Sequence, residues 1–140
     1  MIKTYRVALM AIAFLAMTTN AQKITYPQPP TEEVVDEYFS GQRKFFNLPY
    51  RFTGTEFQKR VWQSISRIVY GKTVSYEEIA RLSGVGNAGM TVRAVANAIG
   101  ANKLSVIVPC HRIIRKNGET GGYAGGKEAK RYLLELEEAG

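Results

Sequence analysis

Apolar residues recur at Phe57, Val61, Trp62, Ile65 and Ile68, the spacing that draws one stripe along a helix over residues 56–69. Thr55-Glu56-Phe57-Gln58 begins it with a capping box, in which a Thr hydroxyl and a Gln three residues on satisfy each other's backbone amides. Gly71 closes the segment. Ser75-Tyr76-Glu77-Glu78 repeats the signal and opens a short helix that runs to about Leu82. The loop Ser83-Gly84-Val85-Gly86-Asn87 follows, then a third helix over residues 89–99 with Ala94, Ala96 and Ala98 around Arg93. Two short helices joined by a Gly-containing turn make a helix-turn-helix candidate, although two packed helices without a DNA role share that outline. Residues 32–39 place Val34, Val35, Tyr38 and Phe39 on a short amphipathic helix ended by Gly41. A last helix over residues 127–138 carries Tyr132, Leu133, Leu134 and Leu136. The β-branched run 104–108, before Pro109, reads as a buried strand. Residues 113–115 and 119–123 flank Asn117-Gly118, a strong two-residue hairpin signal. The expected fold is mainly α with a small β hairpin: a winged-helix-like domain containing a helix-turn-helix.

Length and charge narrow this picture. The 140 residues suffice for one domain of ordinary size. The net charge of +7 is unevenly spread: residues 59–127 hold eleven Lys and Arg against three Glu, while residues 23–58 and 128–140 are each net acidic. One basic central block is what a phosphate-facing surface requires, and a solvated basic face looks the same from charge alone. One cysteine excludes an internal disulfide, and one cysteine with one histidine argues against a structural zinc site. The N-terminus has a different character. Lys3 and Arg6 precede an apolar run over residues 7–17, and Thr19-Asn20-Ala21 resembles a signal-peptidase site. Eleven apolar residues are too few to span a bilayer. Pro27, Pro29 and Pro30 mark an extended linker over residues 23–31, and residues 45–52 are aromatic and irregular around Pro49.

The one cysteine, Cys110, directly precedes the one histidine, His111. A cysteine attacks as its thiolate, so its surroundings must lower its pKa. His111 supplies an imidazole, Pro109 suits the first turn of a helix or 3₁₀ segment whose amides favour an anion, and Arg112 and Arg115 add positive potential. A buried structural cysteine beside a hydrogen-bonded histidine is the competing explanation.

Val106-Ile107-Val108-Pro109-Cys110-His111-Arg112-Ile113-Ile114 resembles the active-site motif of O6-alkylguanine-DNA alkyltransferases, also called methylated-DNA–protein-cysteine methyltransferases. The resemblance runs from about Thr31 to Glu138 and takes in the Arg-bearing small-residue helix, a Gly-Tyr-x-Gly-Gly loop and a C-terminal Leu-Leu-x-x-Glu. It implies that Cys110 takes the alkyl group from guanine O6 in a single turnover, with His111 as base through a bridging water and Glu137 orienting His111. It further implies that Tyr76 donates a proton toward the leaving guanine and that Asn102 holds the active-site turn. Carbonyls of Cys110 and Ile113 would accept from the guanine amino group, and the loop of Tyr123 and Ala124 would close over the base. Arg93 would fill the stack vacated by a flipped nucleotide, with the alanine-rich helix in the minor groove. The implied partner is double-stranded DNA containing O6-alkylguanine, met by a monomer with no cofactor, no metal and no membrane span. The implied location is the cytoplasm, at the nucleoid, with export as the alternative that residues 1–21 raise. The division expected is a leader at 1–21, a linker and remnant of an N-terminal domain at 22–53, and a catalytic DNA-binding domain at 54–138. Lys103 stands where Pro often follows the family's Asn, Ala124 where some members carry Ser, and Thr91 is slightly larger than usual. A lesion-binding protein without transfer is the alternative function; such proteins replace the cysteine that this chain keeps.

Overall fold

The computed structural model describes residues 31–47, 51–84, 88–102 and 106–140. The leader-like residues 1–21, the linker to residue 30 and Lys103 lie outside these. Helix α1 (Glu32–Phe39) starts where the Thr31 hydroxyl accepts from Val34 N, and two acidic residues in its first turn suit the positive end of the helix dipole. It buries Val35, Tyr38 and Phe39. Helix α2 (Glu56–Ser66) opens on the expected box: Gln58 N donates to Thr55 Oγ1 at 3.1 Å and Thr55 N to Gln58 Oε1 at 3.0 Å. It ends three residues before the expected limit of 69. The hydroxyls of Ser64 and Ser66 bond back to Arg60 O and Trp62 O, a pattern that weakens a helix. Ile68 O then turns to the Arg112 guanidinium at 2.6 Å instead of continuing the helix.

Strand β1 (Val74–Ser75) leads into helix α3 (Tyr76–Leu82), and helix α4 (Ala88–Gly100) follows. Ser75 caps α3 by accepting from Glu78 N, but the expected reciprocal bond is lost because the Glu78 carboxylate pairs with Arg81 at 2.9 Å. Helices α3 and α4 pack on each other and both pack on α2, which is the expected helix-turn-helix arrangement. Trp62 Nε1 donates to Ala98 O at 2.9 Å and ties α2 to α4.

Two expectations for the β structure change. The described part of the 104–108 run is not a strand: residues 106 and 107 form a turn, with buried Val106 at φ +77°, and only Val108 makes a bridge. The Asn117-Gly118 turn does form, with Gly118 at φ +88° and Arg115 N donating to Glu119 O at 2.8 Å. Residues 119–123 do not continue as its second strand. Strand β2 (Ile113–Ile114) pairs instead with β1, parallel, in the register Val74–Ile113 and Ser75–Ile114. The result is mainly α with a two-stranded sheet, consistent with a winged helix. Helix α5 (Lys127–Ala139) closes the fold.

The main core gathers Val61, Trp62, Ile65, Ile79, Val95, Val108 and Ile113, and Cys110 belongs to it. A second cluster joins Val35, Tyr38 and Phe39 of α1 to Leu133 of α5. The reactive segment therefore lies between two packed layers. No helix among the described residues is long and apolar enough to cross a membrane.

Candidate active site

Pro109 sits before a 3₁₀ turn, Cys110–Arg112, which turns the chain out of the core and into β2. The turn puts three chemically active residues in sequence at the meeting of both clusters. Cys110 is 5% exposed and His111 is fully buried. Helix α5 brings Glu137 to them. Its Oε1 accepts from His111 Nε2 at 2.7 Å, from Tyr38 Oη at 2.7 Å and from Arg112 Nη2 at 2.8 Å. Its Oε2 accepts from Arg112 Nε at 2.8 Å and from Gly71 N at 3.4 Å. Burial works against the ionised carboxyl, but the bonds from His111, Arg112 and Tyr38 prevail and hold it below the usual range.

That network also settles the state of the imidazole. Burial lowers the His111 pKa and outweighs the pull of Glu137, so the ring is neutral near pH 7. With Nε2 donating to the carboxylate, Nδ1 carries the lone pair. Nδ1 is buried and has no hydrogen-bond partner among the described residues. A neutral ring in this tautomer, anchored on one nitrogen and unsatisfied on the other, can take a proton from a thiol directly or through water.

Cys110 opens onto a cavity of about 810 Å³. Tyr76, Arg93, Tyr123 and Ala124 line it from α3, α4 and the glycine-rich loop. Burial, then the nearby Cys110 charge, raise the Tyr76 pKa, so its phenol stays a donor. Gly121 lies so close that a Cβ there, at φ +71°, would sit 3.0 Å from Tyr76 Oη. Arg93 is exposed on α4. Asn102 is buried, and its Nδ2 donates to Val108 O at 3.0 Å, which ties the end of α4 to the segment before Cys110.

Comparison with known proteins places this arrangement. Residues 56–139 match the family model described as 6-O-methylguanine DNA methyltransferase, DNA binding domain. The chain belongs to the O6-methylguanine-DNA methyltransferase family. It is similar to the inducible methylated-DNA–protein-cysteine methyltransferase of Bacillus subtilis, 48% identical over 103 residues, 74% of this chain and 56% of that protein. The constitutive enzyme of the same organism is 48% identical over 107 residues, 76% of this chain and 63% of that protein. A crystal structure of Mycobacterium tuberculosis OGT in complex with DNA superposes with a TM-score of 0.71 at 45% identity, covering 75% of this chain and 63% of that one. The chain thus spans less than two thirds of the length of these relatives.

Within this methyltransferase-family fold, His111 and Glu137 are hydrogen-bonded, Cys110 precedes His111 on the same 3₁₀ turn, and Tyr76, Arg93, Tyr123 and Ala124 share one cavity with Cys110. Ile113 stands apart. It is fully buried and not part of the cavity wall, and one lone pair of its carbonyl is taken by Lys130 Nζ. Thr91 lies on α4.

Sequence reasoning missed two residues. Lys130 is fully buried, donates to Ile113 O and to Gly122 O (3.3 Å), and has its Nζ 5.9 Å from the Tyr76 ring centroid. Burial lowers its pKa to about 8, against the opposing pull of Cys110. The signal was present: Lys130, Leu133 and Glu137 fall three and four residues apart on the buried stripe of α5. Tyr38 carried no such signal beyond its place on the apolar face of α1.

Proposed function

We propose that this protein repairs O6-alkylguanine in double-stranded DNA by moving the alkyl group, methyl above all, onto Cys110. The observation that carries the reading is the connected set Glu137–His111 beside Cys110 at the wall of a cavity large enough for a base. In this reading His111 Nδ1 receives the thiol proton. The sulfur attacks the alkyl carbon, the C–O6 bond breaks, and its electron pair stays on the guanine. Tyr76 donates toward the ring as that charge develops. The thioether does not turn over, so each molecule acts once, and the alkyl donor is the damaged base itself. Arg93 on α4 occupies the gap left by the flipped nucleotide, and the Tyr123–Ala124 loop covers the base. Residues 54–138 act as the catalytic unit, with residues 22–53 as its support. The DNA substrate places the activity in the cytoplasm, at the nucleoid.

The test is stoichiometric repair. A duplex whose restriction site is blocked by one O6-methylguanine is incubated with increasing protein. Cleavability returns in proportion to protein added and stops at one site per molecule. Tight lesion binding with no restored cleavage overturns the proposal in favour of a lesion-binding protein.

A further inference from the structure

Glu137 Oε1 is crowded. It accepts from the His111 ring and from the Tyr38 hydroxyl at the same distance, 2.7 Å, with Arg112 Nη2 at 2.8 Å. Tyr38 reaches it from α1, 99 residues away and outside the residues 56–139 that match the family model. The phenol is not loosely placed. Its ring is 1% exposed and packs edge-on against Phe39 and Tyr70, with centroids 5.3 Å and 6.2 Å apart. A buried phenol needs an acceptor, and the one it takes is the oxygen that His111 uses.

We propose that Tyr38 is a positioning residue of the relay, its hydroxyl competing with the His111 imidazole for one carboxylate oxygen and so limiting how strongly Glu137 pulls on the ring. Donors sharing one acceptor divide its charge. With Tyr38 in place the carboxylate steadies the ring without drawing it toward the imidazolium. The ring therefore stays neutral and able to receive the thiol proton. Helix α1 thereby acts on the base as well as covering α5. The groups facing this pair are Arg112 on the 3₁₀ turn, the Gly71 amide, Lys130 on α5 and Tyr70. Each keeps its place when only the Tyr38 oxygen is removed.

This inference rests on His111 serving as the base, and its test is separable from alkyl transfer. The chain holds one histidine, so its isotope-labelled ring nitrogens can be followed by NMR without ambiguity. Tyr38→Phe should raise the proton affinity of the ring about three- to tenfold. Tyr70→Phe is the control. Its hydroxyl bonds Leu136 O at 3.4 Å and not Glu137, so the variant should leave the titration where it was. If Tyr38→Phe does not fold, fluorotyrosine placed site-specifically at position 38 alone makes that hydroxyl a stronger donor and should lower the ring's proton affinity. An unchanged titration in Tyr38→Phe, or an unchanged one with fluorotyrosine, overturns the proposal. A shifted titration in a protein that takes no alkyl group from DNA would defeat the repair reading and leave the role of Tyr38 intact.

Discussion

Glu137→Gln removes one charge from the most heavily bonded group in the structure. The carboxylate takes five bonds: two from Arg112, and one each from His111, Tyr38 and Gly71 N. Gln keeps one acceptor oxygen but turns an amide NH₂ toward donors. Whichever way it is oriented, Arg112 loses its counter-charge while 6% exposed. Breaking a buried pair by removing one partner costs about 3–5 kcal/mol, against about 1 kcal/mol for an ordinary neutral hydrogen bond. The larger figure applies because both Arg112 contacts are direct and both side chains are buried. Urea unfolding should show that loss. Arg112→Met alone should cost a similar amount, since it leaves Glu137 uncompensated. The double variant should lose clearly less than the two added together, with coupling of about 2 kcal/mol. In molecules that remain folded, transfer should slow by about 10²–10⁴, the usual share of a positioned base. A Glu137→Gln loss under about 1 kcal/mol with additive double-variant behaviour would refute the reasoning, because the network would then be solvated and not structural.

Three further outcomes follow from single features of the site. Gly121→Ala puts a Cβ 3.0 Å from Tyr76 Oη at φ +71°, so it should cost about 1–2 kcal/mol in urea unfolding and slow transfer; a neutral variant would contradict the close approach. Arg93→Ala, exposed on α4, should change stability by less than about 0.5 kcal/mol and reduce transfer from duplex DNA while sparing reaction with a free O6-alkylguanine base. Equal loss with both substrates would remove its role in base extrusion. Stability should rise with pH up to about 10, because Glu137, His111 and Lys130 all have lowered pKa values and the unfolded chain binds more protons at each. The Glu137 contribution is complete above its unfolded value of 4.5 and fades as pH falls below it, and Lys130 adds a rise that starts near 8, opposed above about 10 by Tyr38, Tyr70 and Tyr76, whose pKa values burial raises. Lys130→Met should abolish that upper rise in the urea midpoint; its persistence would place the titration elsewhere.

Helices were legible in the sequence because their signals are local. Thr55 and Gln58 cap α2, Ser75 caps α3, and the apolar stripes fix which faces are buried. The β structure was less legible because its pairing is not local. Asn117-Gly118 correctly marks a turn, but the partner of Ile113 is Val74, a parallel neighbour that no turn signal announces. Val106 and Ile107 have strand-forming side chains, yet Val106 takes a left-handed φ before the Pro109 turn, where the chain must bend into the core. Cys110 and His111 were found because they are adjacent and each is the single residue of its type, whereas Glu137 came from the family resemblance of its Leu-Leu-x-x-Glu segment. Lys130 was not, because a lysine on a helix is ordinarily exposed; its two carbonyl partners, Ile113 O and Gly122 O, are set by tertiary packing. Tyr38 lies 99 residues from the carboxylate that it serves, so only the fold reveals the contact.

The most direct test of the central claim is the mass of the protein after reaction. Protein and duplex DNA carrying O6-methylguanine are mixed in equal amounts, and intact mass and peptide mapping follow. The account predicts one added methyl group per molecule, located on Cys110, absent in Cys110→Ala and much slowed in Glu137→Gln. Unmodified protein, or a methyl group on any other residue, would contradict it.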